Sequence, residues 1–157
     1  MKLNLQNLYN DHARNVARVN NWYCNTGSPL YSAFIRAEQL LRLDMLIIQY
    51  QKKFPTPWEP VNGRVAINHL LFSKTSREPD LVEKVRRIAF PDIFFLLHED
   101  LATVDIGDTP LEVPEFVNNS REYRDYTEEK RHIELPPCSE AEWDWTLAGK
   151  HQVLNKP

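Results

Sequence analysis

Residues 28–54 read SPLYSAFIRAEQLLRLDMLIIQYQKKF, and the periodicity of this stretch decides the fold class. Ser28 suits a helix N-cap, and Pro29 the first helical position, where its missing N–H is no loss. Apolar side chains then recur at Leu30, Tyr31, Phe34, Ile35, Leu40, Leu41, Leu43, Met45, Leu46, Ile47, Ile48 and Tyr50. That set is too wide for one amphipathic stripe, so the stretch predicts a helix over about 29–54 that is covered on several sides. Pro55 stops it. The expected fold is mainly α: a single helical domain around this buried central helix.

Outward from it, Leu5, Leu8, Tyr9, His12, Val16, Val19 and Tyr23 fall at helical spacing and predict an amphipathic helix over 4–23. Asn25-Thr26-Gly27 breaks the chain between the two helices. On the other side, three prolines within Phe54–Pro60 make a stiff connector carrying Trp58. Short helices are expected over 63–74 and from about Glu78 onward, the latter with Leu81, Val82, Val85, Ile88 and Ala89 inward. Pro91 and Asp92 open another. Its apolar run Ile93-Phe94-Phe95-Leu96-Leu97, with Leu101, predicts a second heavily buried segment over 92–102.

Beyond residue 102 the pattern changes. Val104 and Ile106, then Leu111 and Val113, alternate around Gly107-Asp108-Thr109-Pro110, which predicts a small β-hairpin near 103–114. Asn119 with Glu122 has capping-box spacing for a short helix to about Lys130, and Ser139 with Glu142 forms a full Ser-x-x-Glu box. Residues 143–154 fit either helix or strand. Two regions follow: a helical core over 1–117 and an acidic, aromatic-containing arm over 118–157.

The 157 residues, 42% hydrophobic and 26% charged, are ordinary globular values. No run of 18 apolar residues is free of charge, so no membrane span is expected. The N-terminus lacks the apolar core of a secretion signal. Together with only two cysteines, Cys24 and Cys138, read as free thiols, this points to a cytoplasmic protein. The net charge of −3 conceals a division: residues 1–98 hold 13 Lys and Arg against 8 Asp and Glu, whereas 99–144 hold 4 against 14. Either the acidic part wraps the basic part, or it meets a partner.

Chemistry narrows mostly by exclusion. The five histidines are scattered, without the two-to-five-residue spacing of a metal site. No nucleophile elbow or glycine-rich phosphate loop is present. No cofactor is implied, and a small enzyme would have to work without a recognisable motif. Two binding readings remain. In the first, a non-enzymatic regulatory protein binds another protein through its acidic C-terminal segment: Trp143, Trp145 and Leu147 are apolar anchors, and Glu140, Glu142 and Asp144 supply steering charge. In the alternative, basic helix faces carrying Arg14, Arg18, Arg86 and Arg87 contact nucleic acid, against a pI of about 6.0.

Overall fold

The computed structural model describes residues 2–22, 30–54, 63–114, 136–150 and 152–153. The described chain is mainly helical. A two-residue strand β1 (Lys2–Leu3) precedes helices α1 (Leu5–Asn20), α2 (Leu30–Lys53), α3 (Gly63–Ser73), α4 (Leu81–Arg86), α5 (Phe90–Leu96) and α6 (His98–Thr103). A 3-10 turn over Glu140–Glu142, helix α7 (Thr146–Lys150) and strand β2 (Gln152–Val153) follow. β1 and β2 pair antiparallel, Lys2 opposite Val153 and Leu3 opposite Gln152. Among the described residues, no helix is long and apolar enough to cross a membrane. The caps expected at Ser28 and Asn119, the Trp58 connector, and Cys24 lie outside the described residues.

The central helix runs from Leu30 to Lys53. Ala33, Phe34, Ala37, Leu40, Leu41, Leu43, Ile47 and Ile48 are all buried, as are Ser32, Arg36 and Asp44. At about 100° per residue these buried positions together span an arc of about 200°, wider than a single amphipathic stripe, while Glu38 and Gln39 remain exposed. At 1.5 Å per residue, α2 is about 36 Å long. Such a rod outruns one small core, and the chain groups into two compact units, 1–41 with 106–157, and 42–105. The expected boundary near 117/118 lies outside the described residues.

In the first unit, Asn4 caps α1 by accepting the Asn7 N–H at 3.2 Å. Leu8, Tyr9, His12, Ala13, Val16 and Ala17 make its buried stripe. The helix ends at Asn20, before the expected Tyr23, because Asn21 adopts the left-handed conformation (φ 57°), which asparagine tolerates. In the second unit, Arg64 donates to the Ile88 carbonyl, and Lys74 pairs with Asp100 at 2.8 Å.

Two expectations need correction. The segment 103–114 is not a hairpin: Thr103 ends α6, and no residue from 104 to 114 is in a strand. Side chains take the backbone groups a partner strand would have used. In the second unit, Arg42 donates to the Leu101 carbonyl at 3.1 Å and Gln49 to the Asp105 carbonyl at 2.9 Å. In the first, Gln6 both donates to the Glu112 carbonyl and accepts its N–H, each at 2.9 Å. Gly107 turns with φ 84°, a left-handed value that suits glycine.

The 92–102 segment is two helices meeting at Leu97, and it is not buried throughout. Phe90, Ile93, Leu97 and Leu101 face inward, while Phe95 is 84% and Leu96 51% exposed. A continuous apolar run exceeds what one helix face can hide.

Candidate functional site

The C-terminal segment is organised by its capping box. Ser139 and Glu142 form the reciprocal pair around the 3-10 turn, with the Ser139 N–H donating to Glu142 Oε2 at 2.6 Å. Glu142 is only 1% exposed and turns inward. Arg36 of α2, 3% exposed, donates from one guanidinium nitrogen to both carboxylate oxygens at 3.0 and 3.1 Å. Asn20 of α1 adds a third side-chain bond, to Oε1 at 3.0 Å.

The surrounding backbone is also held. Arg36 donates to the Pro136 carbonyl. Asn15 donates to the carbonyls of Glu142 at 2.8 Å and Ala141 at 3.3 Å. A buried carboxylate survives only when its lone pairs are filled in this manner. Beside it, burial pushes the Cys138 thiol up to about 12, and the charge of Arg36 only partly opposes that rise. Cys138 is a buried, protonated free thiol.

The six residues expected to face a partner therefore divide. Glu142 and Trp143 are inside, and Trp143 packs its ring 6.1 Å from that of Trp145, tilted at 56°. Trp145, Leu147 and Asp144 are half-buried, and Asp144 holds the Thr146 hydroxyl at 2.6 Å and N–H at 3.0 Å. Glu140 is exposed. The sequence reading gives Glu142 a steering role and assigns none to Arg36. The overlooked signal was Arg36 itself: a cation between Ala33, Phe34, Ala37 and Leu40 needs a buried anion.

The four arginines of the nucleic-acid reading are exposed and locally engaged. Arg14 pairs with Asp11 at 2.5 Å, and Arg18 bonds Asn15 at 2.7 Å. Arg86 and Arg87 both reach Glu83, at 3.0 and 3.8 Å. Among the described residues, no three His, Cys, Asp or Glu side chains come together as a metal site would need.

Two recesses exist. One, of about 500 Å³, lies in the first unit against Tyr9, Phe34, Glu38 and the 106–113 segment. The other, of about 290 Å³, lies in the second unit between α3 and α4, against Phe72, Val82 and Val85. The first carries Glu38, Asp108 and Thr109 in its lining, and the second Asn68, His69 and Arg86.

The outward apolar groups lie elsewhere. Phe54, Val65, Phe95 and Leu96 are the large hydrophobic side chains exposed among the described residues, and all four belong to the 42–105 unit. Phe95 and Leu96 are adjacent. Nothing in their sequence context marked them, because a run of five apolar residues reads as core. No family model, curated protein or solved structure matches the chain.

Proposed function

We propose that this chain is a non-enzymatic binding or regulatory protein that acts by binding another protein. The observation that supports this reading is the exposed pair Phe95–Leu96. A phenylalanine 84% exposed beside a half-exposed leucine is a contiguous apolar projection, which suits an interface anchor better than a surface in permanent contact with water. The C-terminal segment takes part only through the side chains it leaves outward, Glu140 with the half-buried Trp145 and Leu147.

The test replaces Phe95 by a photoreactive benzophenone amino acid, with a second protein labelled at exposed Glu83 as control. Irradiation in extract of the cells that make the protein should give a discrete protein adduct from position 95. The adduct should be absent from position 83 and lost when Leu96→Ser is added. The same adducts from both positions, or none from 95, would refute the reading.

A further inference from the structure

The Phe95–Leu96 projection carries its own electrostatic signature. The inward stripe of α5 and α6 is complete without it: Phe90, Ile93, Leu97 and Leu101 are buried, and Phe94 meets Phe90 edge-on at 5.4 Å. The Leu97 N–H bonds the Ile93 carbonyl at 2.9 Å, and the Leu101 N–H bonds the Leu97 carbonyl at 2.8 Å. The first bond closes α5 and the second opens α6, so the chain passes from one helix to the next at Leu97. Asp92, three residues before Phe95 within α5, shares its side of the surface, and Glu99 lies near the start of α6. Both are exposed.

No cation neutralises this side from within the segment. From Ile88 to Asp105 the chain holds four carboxylates and neither Lys nor Arg, with His98 the other titratable group. Of the cations that reach α6 from elsewhere, Lys74 is paired with Asp100 and Arg42 bonds the Leu101 and Ala102 carbonyls.

We infer that the Phe95–Leu96 face docks a protein surface whose apolar slot is rimmed by lysine or arginine. This rests on the protein-binding reading above and adds the partner's chemistry. Charge decides between occupants. A second copy in symmetric contact would bring Asp92 and Glu99 against their own duplicates, and an anionic membrane or nucleic acid would repel them. A basic rim instead gives faster encounter and a fixed register around the aromatic anchor.

The probe is a fluorescein-labelled amphipathic helix built only of Leu and Lys, titrated by anisotropy against the full chain, with a Leu/Glu helix of equal length as control. The Leu/Lys helix should bind at least about tenfold more tightly than the Leu/Glu helix. Phe95→Ser should weaken it about tenfold, and Leu96→Ser should weaken it in the same direction. Asp92→Asn with Glu99→Gln should weaken it and flatten its salt dependence. Circular dichroism checks that the variants stay folded.

Equal binding of both helices, or no effect of the charge-neutralising pair, overturns the basic partner while leaving the apolar anchor intact. Failure of Phe95→Ser and Leu96→Ser to change binding overturns the site itself. So does sedimentation showing a wild-type dimer that Phe95→Ser converts to monomer, because the occupant is then a second copy.

Discussion

Glu142 accepts from Arg36, Asn20 and the Ser139 N–H while almost wholly shielded from water. Its removal leaves the Arg36 guanidinium buried without its counter-charge, which is the expensive half of a buried ion pair. Glu142→Gln should lower unfolding free energy by about 3 kcal/mol in urea titration. The double change Arg36→Met with Glu142→Leu should recover much of that loss, because no charge remains to be desolvated. Cys138 makes a second prediction at this scale. Its folded thiol is held protonated to about 12 from an ordinary value of 9.0, so the unfolded chain loses the proton first. The thiol's contribution to stability is whole below pH 9.0 and fades as pH rises toward 12. Unfolding midpoints across that window should fall more steeply for the wild type than for Cys138→Ala.

Among the elements, the short contacts that replace the expected hairpin carry the sharpest prediction. Gln6 copies a strand's two hydrogen bonds to Glu112. Gln6→Ala should therefore speed exchange of the Glu112 amide about tenfold or more, while global stability falls by only about 1 kcal/mol. Periodicity placed the helices well where one face is buried. α1, α3 and α4 each lie within a few residues of their expected bounds, and the Ser139–Glu142 box formed as its spacing required. Two features were not legible, for the same physical reason. Alternation at Val104, Ile106, Leu111 and Val113 resembles a strand, yet a strand needs a neighbour, and the sequence cannot show that side chains of α1 and α2 would take its place. Likewise the run from Ile93 to Leu97 does not reveal which residues the inward stripe leaves out.

For the molecule as a whole, residues 30–41 of α2 belong to one compact unit and residues 42–53 to the other. The stretch Leu40 to Ile47 of α2 holds no exposed residue, so native-state hydrogen exchange should find its amides among the slowest, opening only with global unfolding. The carboxylates of the chain divide by role rather than acting as one arm: Glu142 is an internal pin, whereas Asp92 and Glu99 stand outward on α5 and α6.

That division is tested most directly by comparing urea midpoints of Phe95→Ser and Glu142→Gln against the wild type. The account predicts a Phe95→Ser midpoint equal to or above wild type, and a large fall for Glu142→Gln. A large fall for Phe95→Ser, with Glu142→Gln unchanged, would place Phe95 in the core and Glu142 at the surface, and would contradict it.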